Sequence, residues 1–142
     1  MESEPREATL VICKPDAVRR GLVGEILGRL ERRGLRILRA ELRTIDKETA
    51  AMHYAEHAGK AFFDGLIEYI TRGPALLAVV EGPEGTHQIV RMTMGATDPA
   101  KAAPGTVRGD LALSLPDNLI HGSDSPESAR REIALFFPEE GP

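Results

Sequence analysis

One histidine late in the sequence is the residue best suited by type and position to do chemistry. His121 lies between the apolar pair Leu119-Ile120 and a turn-forming Gly-Ser-Asp-Ser run at 122–125. This pattern predicts a strand, a turn and then a helix, with the imidazole held at their junction. An accessible imidazole is a nucleophile near neutral pH, so His121 is a candidate to carry a phosphoryl group.

Phosphate contacts, if His121 handles phosphates, would have to come from side chains. The sequence contains neither a Gly-x-x-x-x-Gly-Lys-Ser/Thr loop nor a Gly-x-Gly-x-x-Gly run, which are the usual backbone cradles for phosphate. The candidate side chains are Lys14, Arg91, Thr97 and Arg108. Phosphoryl transfer requires positive charge around the equatorial oxygens and alignment of the attacking atom, which these four groups would provide around one histidine.

Length and charge limit the classes of protein that the chain can belong to. Its 142 residues are enough for one domain, 1–142, with flexible tails predicted at 1–6 and 138–142. The formal net charge of -4 argues against a protein that coats nucleic acid, and the single cysteine, Cys13, excludes an internal disulfide. No apolar run approaches a membrane span and residues 1–7 do not resemble a signal peptide, so a cytoplasmic location is predicted.

Hydrophobic periodicity and chain breakers predict the elements that must position these residues. Strands are predicted at 8–13, 35–42, 75–80 and 118–120, and the second is irregular near Leu38. Helices are predicted at 22–33, 47–57, 61–71, 86–94 and 126–136, with a long loop at 95–116. This order indicates a ferredoxin-like βαββαβ plan, an α+β fold with a four-stranded antiparallel sheet, helices packed on one face and a long loop insertion.

The chain strongly resembles the nucleoside diphosphate kinase family, with matching motifs in the right order through nearly its whole length. The matching segments are 11–18, 20–26, His53-Tyr54, Phe62-Phe63, Gly73-Pro74, Arg91, 95–99, 103–110, 118–125 and Glu132-Ile133. The His-Gly-Ser-Asp-Ser run beginning at His121 is the most specific of them. Departures from the family pattern fall at Asp98, Leu111 and 115–117, and none of them touches the proposed nucleophile.

The resemblance implies a ping-pong reaction. A nucleoside triphosphate such as ATP would pass its γ-phosphoryl group to His121, and a nucleoside diphosphate would then take it. The residues implied to orient the imidazole or to act near the γ-phosphate are Glu132, Ser123, Lys14 and Tyr54. Those implied to bind nucleotide are Lys14 and Asn118 at the sugar, Arg91, Thr97 and Arg108 at the phosphates, and Phe62 stacked on the base. Stacking accepts every base, so broad base tolerance is expected.

The same resemblance implies the cofactor and the assembly. Mg2+ is expected on the nucleotide phosphates, with little or no direct ligation by the protein. The chain is expected to form a homo-oligomer, a tetramer or a hexamer built from a shared dimer, without a membrane or nucleic-acid partner. Which imidazole nitrogen carries the phosphoryl group is not decided by the sequence.

Three alternatives stay open at this point. His53 and His57 with Glu56 match His-x-x-Glu-His, an inverted zinc-protease signature, although no third ligand is linked to it. A basic row at Arg36, Arg39 and Arg43 could bind nucleic acid, although a solvated sheet face is the simpler interpretation. A nucleotide-binding module without catalysis is disfavoured because the set of candidate site residues is complete.

Overall fold

The computed structural model describes residues 6–139, and the parts of the predicted tails at 1–5 and 140–142 lie outside that range. The strands are β1 (Arg6–Cys13), β2 (Arg36–Arg43), β3 (Ala75–Pro83) and β4 (Ile120–Gly122). The helices are α1 (Pro15–Arg19), α2 (Val23–Arg32), α3 (Lys47–His53), α4 (Phe63–Thr71), α5 (Thr86–Met94), α6 (Val107–Leu111) and α7 (Pro126–Phe136). Short 3-10 turns span Ala55–His57 and Pro99–Lys101. No helix among these residues is long and apolar enough to cross a membrane.

The four strands form one antiparallel sheet in the order β2-β3-β1-β4, which confirms the predicted α+β fold. β1 pairs with β3 along its whole length and with the short β4 on its other side. The register of β2 on β3 shifts between Ile37 and Arg39, which confirms the irregularity predicted near Leu38. The predicted tail wrongly included Arg6, which pairs with Pro83 as the first residue of β1.

Helices cover both faces of the sheet, so the predicted packing on one face is wrong. Val11, Cys13 and Val80 point to one face, where they pack with buried side chains of α2 and α5. Leu10 and Ile12 point to the opposite face and pack with residues of α3, α4 and α7. The physical reason is visible in β1, whose apolar residues do not alternate with polar ones and therefore require cover on both sides.

Two short helices and one residue of unusual backbone conformation account for three further differences from the prediction. The predicted loop at 95–116 contains α6, which has five residues and is too short to show a helical period; Thr106 caps it by accepting a hydrogen bond from the Gly109 nitrogen. The helix α1 was missed for the same reason. The last strand begins two residues later than predicted, because Leu119 has a φ of 71° and interrupts the extended conformation.

Candidate active site

β4 places the candidate nucleophile. His121 pairs with Ile12 of β1, and directly paired residues share a face, so the imidazole projects to the side of the sheet that α3 and α7 cover. Its side chain keeps 22% of its surface exposed. The next residue is a glycine, and a Cβ on Gly122 would lie 2.7 Å from the sulfur of Met94 in α5, so a larger residue would have to displace that side chain. The strand is therefore seated closely on α5, with the imidazole on the other face.

A buried carboxylate holds the imidazole. His121 Nε2 lies 2.9 Å from Oε1 of Glu132, which α7 places beneath the ring. The Ser123 hydroxyl donates to the same oxygen at 2.7 Å and accepts from the Leu10 nitrogen at 3.2 Å. Burial acts to raise the pKa of Glu132, but the hydrogen bonds from His121 and Ser123 outweigh it and the pKa is lowered. Glu132 is thus an anion at neutral pH, suited to orient the ring and to stabilise positive charge on it.

Two further rings pack beside the nucleophile. The ring of His53, at the end of α3, meets the ring of His121 edge to face, with centroids 4.8 Å apart. His53 is buried, and neither of its ring nitrogens has a hydrogen-bond partner. Burial, followed by the charge of His121, lowers the pKa of His53 to about 3, so this imidazole is neutral. Tyr54 follows it and lines the cavity in front of His121; burial raises the pKa of its hydroxyl to about 12, which keeps it a proton donor.

A lysine and an asparagine are hydrogen-bonded to each other at the C-terminal end of β1. Lys14 Nζ donates to Oδ1 of Asn118 at 2.8 Å, and Asn118 Nδ2 donates to the backbone oxygen of Thr97 at 3.0 Å. Burial and then the charge of Arg108 lower the pKa of Lys14 to about 8, while Asp16 acts in the opposite direction. The ammonium is therefore near the point at which it loses its charge, and a bound anion would favour the charged form.

The two arginines differ in their surroundings. Arg108, in α6, is buried and donates to the carbonyl oxygens of Asn118, Gly95 and Ile120 at 3.0, 3.0 and 2.6 Å. Burial, and then the nearby charge of Arg91, lower the pKa of Arg108 to about 10. Arg91, in α5, is exposed and makes one contact, to the Gly122 carbonyl oxygen at 3.1 Å. One guanidinium is thus held by three hydrogen bonds to carbonyl oxygens, and the other by one.

A cavity of about 730 Å³ joins these residues. Eight of the predicted site residues line it: Lys14, Tyr54, Phe62, Arg91, Thr97, Arg108, Asn118 and His121. The two remaining ones, Glu132 and Ser123, lie behind the imidazole as described. The wall facing His121 is cationic, since Lys14, Arg91 and Arg108 contribute charge there. Phe62, which is half exposed, and Leu115 line the same cavity.

Sequence reasoning missed several residues of this site. Asp16 is buried and accepts a hydrogen bond from the Leu119 nitrogen at 3.1 Å. Leu115 and Tyr69 line the cavity, and His53 contacts the nucleophile. The signals for His53 were its position beside Tyr54 and its place in the His-x-x-Glu-His pattern, and the signal for Asp16 was its place two residues after Lys14. In the sequence, Leu115 and Tyr69 are indistinguishable from ordinary loop or core residues.

The zinc-protease interpretation of His53 and His57 is wrong. α3 ends at His53 and a separate 3-10 turn carries His57, so the two imidazoles do not share a helix face. In the part of the chain that the structure describes, the group able to hold a metal ion is His53 with His121 and Glu132. His57 instead packs against Phe62, with ring centroids 5.2 Å apart.

The row of arginines on β2 is paired with acidic residues. Arg36 lies 3.9 Å from Glu81, and Arg39 contacts Glu41 and Glu139. Arg43 contacts Glu41, donates to the Phe136 carbonyl oxygen and lies over the rings of Phe136 and Phe137. The guanidinium groups of Arg39 and Arg43 cover the end of α7, and all three arginines of the row have acidic partners.

The site combines a cavity lined by cationic side chains with one histidine that is hydrogen-bonded to a carboxylate, on a sheet of order β2-β3-β1-β4. This combination is typical of a phosphotransferase that uses a histidine. Comparison with known proteins gives the family: residues 7–141 match the family model described as nucleoside diphosphate kinase. The chain belongs to the nucleoside diphosphate kinase family. Its activity is that of the family, transfer of the γ-phosphoryl group from a nucleoside triphosphate to a nucleoside diphosphate.

Individual relatives cover nearly the whole chain. A nucleoside diphosphate kinase of Thermomicrobium roseum is 60% identical over 94% of this chain and 89% of its own length. One from a Parafrankia species is 59% identical over 93% of this chain and 96% of its own length. The solved structure of a halophilic nucleoside diphosphate kinase from Halobacterium salinarum, in complex with CDP, has a TM-score of 0.90 at 50% identity, covering 96% of this chain and 90% of that one.

Proposed function

We propose that His121 takes the phosphoryl group on Nδ1. The observation that carries this assignment is the 2.9 Å contact between His121 Nε2 and Glu132, which occupies one side of the ring. Because Glu132 is an anion, Nε2 carries the proton and donates to it, which leaves the lone pair on Nδ1. That lone pair attacks the γ-phosphorus, the bond to the β-phosphate oxygen breaks, and the oxygen leaves with the electron pair. Transfer to the second diphosphate reverses these steps.

Glu132 acts in this scheme as the partner of the charged ring. Forming the N–P bond draws electron density from the imidazole and places positive charge on it. A buried carboxylate 2.9 Å away stabilises that charge without taking the proton, and Ser123 holds the carboxylate in place through its 2.7 Å hydrogen bond. The stabilisation grows as the bond forms, so it lowers the barrier and not just the energy of the bound state.

The phosphates would be bound by groups that are already fixed in the cavity. The guanidinium of Arg108 has five N–H groups. Three of them donate to carbonyl oxygens, so two donors remain for a phosphate oxygen. Arg91, Thr97 and Lys14 supply the other contacts. A fixed guanidinium needs no reorganisation when charge develops on the phosphoryl oxygens, which is the main source of catalysis in this chemistry.

The nucleoside would extend from β4 toward the N-terminal end of α4, where Phe62 precedes the helix. Lys14 and Asn118 are linked at 2.8 Å and offer an ammonium and an amide to the sugar hydroxyls. Phe62 and Leu115 also line the cavity, and they offer an aromatic ring and an aliphatic side chain to a base. Contacts of this kind read the faces of a base and not its edges, so all common bases should be accepted.

Mg2+ fits this site as a cation that arrives on the nucleotide. Of the residues proposed to contact the phosphates, Lys14, Arg91 and Arg108 are cations and only Thr97 offers a side-chain oxygen, whereas Mg2+ prefers a full shell of oxygen ligands. When bound to the β- and γ-phosphates, Mg2+ would neutralise part of their charge. The protein residues then have to bind the remaining negative charge.

Assembly and location complete the proposal. The edge strand β2 exposes Leu38 and Leu42, at 46% and 57%, and an apolar edge of this kind is suited to a subunit contact. A homo-oligomer, either a tetramer or a hexamer, is proposed, and sedimentation equilibrium would measure its size.

A cytoplasmic location is proposed because ATP and other nucleoside triphosphates are the substrates, and cell fractionation would test it.

The decisive experiment follows the covalent intermediate. Protein incubated with γ-labelled ATP and Mg2+ should carry acid-labile, alkali-stable phosphate, and added GDP should remove the label as GTP. His121→Ala should bind nucleotide without labelling, whereas His87→Ala, which lies outside the cavity, should label like the unmodified chain. Nucleotide binding without labelling of the unmodified chain would instead favour a non-catalytic binding module.

A further inference from the structure

We propose that His53, His121 and Glu132 form a binding site for a zinc-type divalent ion, and that the ion blocks phosphorylation of His121. One ring nitrogen of each histidine and one carboxylate oxygen lie within 4.8 Å of one another. Donors on a single tetrahedral Zn2+ lie about 3.4 Å apart, so the rings would have to move by about 1 Å to close on the ion. The three side chains come from α3, β4 and α7, which meet at this point.

The surroundings of His53 are independent evidence for a metal ion at this cluster. His53 is 4% exposed, and neither Nδ1 nor Nε2 makes a hydrogen bond, although buried polar atoms almost always do. The phosphoryl-transfer scheme gives these nitrogens no role. An uncharged imidazole with a free lone pair beside another imidazole and a carboxylate is a typical donor set for zinc.

Space for an ion adjoins the cluster. A second cavity of about 170 Å³ is lined by all three residues, and it shares Tyr54, Arg91 and His121 with the nucleotide cavity. Three protein donors leave a fourth position on a tetrahedral ion for water, as in open zinc sites. The donor set favours Zn2+, Co2+, Ni2+ or Cu2+ over Mg2+, because two nitrogens and one oxygen do not match the oxygen shell that Mg2+ requires.

The ion would compete with the phosphoryl group for His121. If the ion takes Nδ1, it occupies the accepting atom. If it takes Nε2, it displaces the hydrogen bond to Glu132 and withdraws the electron density that Nδ1 needs for attack. This regulatory consequence rests on the proposed function of His121, whereas binding of the ion itself does not.

Zinc binding can be measured without turnover. Chelator-treated protein, free of nucleotide, would be titrated with Zn2+ by calorimetry, and with Co2+ while the visible absorption of tetrahedral cobalt is recorded. One ion per chain is expected, with affinity reduced by about tenfold or more in His53→Ala. His57→Ala is the matched control, because it removes the other imidazole of the same sequence motif and should leave the affinity unchanged. His53→Asn serves if His53→Ala does not fold.

Three outcomes would overturn the proposal: no binding to the unmodified chain, unchanged affinity in the His53 variants, or an equal loss in His57→Ala. Phosphorylated protein should also bind Zn2+ more weakly, and Zn2+ should slow labelling of the unmodified chain. Labelling of metal-free protein separates the two proposals. If metal-free protein labels but binds no Zn2+, the metal site alone is refuted; if it binds Zn2+ but does not label, the proposed role of His121 is refuted.

Discussion

The Asp16 carboxylate accepts a hydrogen bond from the backbone nitrogen of Leu119 at 3.1 Å, and Leu119 has a φ of 71°. A leucine in the left-handed region is strained, and its surroundings must impose that conformation. Here they do so from both sides, because the Leu119 carbonyl oxygen also accepts from the Lys14 nitrogen at 2.8 Å. The bend this creates lies two residues before His121 and sets where the imidazole enters the cavity.

Asp16→Ala should therefore reduce both stability and activity. It removes the acceptor for a buried N–H group, which should lower the free energy of unfolding by about 1–3 kcal/mol. Because the segment before His121 loses its anchor, kcat should fall as well. Urea denaturation and the steady-state transfer assay would measure the two effects. Asp16→Asn keeps an oxygen acceptor, and a loss in Asn equal to that in Ala would contradict this role.

Glu132→Gln should slow the chemistry and leave nucleotide binding nearly unchanged. The amide retains the size of the side chain but not the charge that stabilises the imidazole as the N–P bond forms. A decrease in kcat of about 10–100-fold is expected, the usual effect of losing a group that orients a reacting imidazole. Single-turnover labelling with ATP would measure it. An equal increase in KM with unchanged kcat would show that Glu132 acts on binding instead.

Lys14 should make nucleotide affinity depend on pH in the alkaline range. Its pKa in the nucleotide-free protein is lowered to about 8, so the ammonium is charged below that pH and is lost as pH rises through it. KM for the nucleotide should increase above about pH 8, and kcat should change less. Lys14→Arg keeps its charge throughout, so its KM should be flatter with pH. An identical alkaline rise in Lys14→Arg would assign the effect to another group.

Arg108→Lys should destabilise the protein far more than Arg91→Lys. The buried Arg108 makes three hydrogen bonds to carbonyl oxygens, and a lysine cannot reproduce that planar set. A loss of about 3 kcal/mol in the free energy of unfolding is expected, against less than about 1 kcal/mol for the exposed Arg91. Both variants should weaken phosphate binding. Equal stability of the two variants would show that the hydrogen bonds of Arg108 do not stabilise the segment around β4.

The buried imidazole of His53 should make the fold sensitive to acid. Its pKa is lowered to about 3 in the folded protein, whereas the unfolded chain takes up the proton near 6.5. The free energy of unfolding is therefore unaffected by His53 well above pH 6.5. It declines as pH falls from 6.5 toward 3, by about 2 kcal/mol at pH 5. Urea denaturation of metal-free protein at pH 7.5 and pH 5 would measure it. His53→Leu should show a smaller decline, and an unchanged one would assign it to other groups.

The sequence was sufficient where an element is long or a motif is specific. The helix predicted at 86–94 coincides with α5, and the predicted start at Pro126 coincides with α7. It was insufficient where tertiary contacts override local preference: Leu119 is apolar and suited to a strand, yet Asp16 holds it out of one. His53 likewise could be paired with Glu132 only after α3 and α7 were placed beside each other.

Among residues 6–139, the strand β4 is an edge strand of the sheet and pairs with β1 alone. Alternate residues of such a strand direct their carbonyl groups away from the sheet, and unpaired carbonyls of this kind invite a strand from another molecule. In β4 the oxygens of Ile120 and Gly122 are taken by Arg108 and Arg91. The two guanidinium groups proposed to bind phosphate thus also occupy the outward carbonyl oxygens of this edge strand, and replacing either arginine would leave one of those oxygens open to another strand.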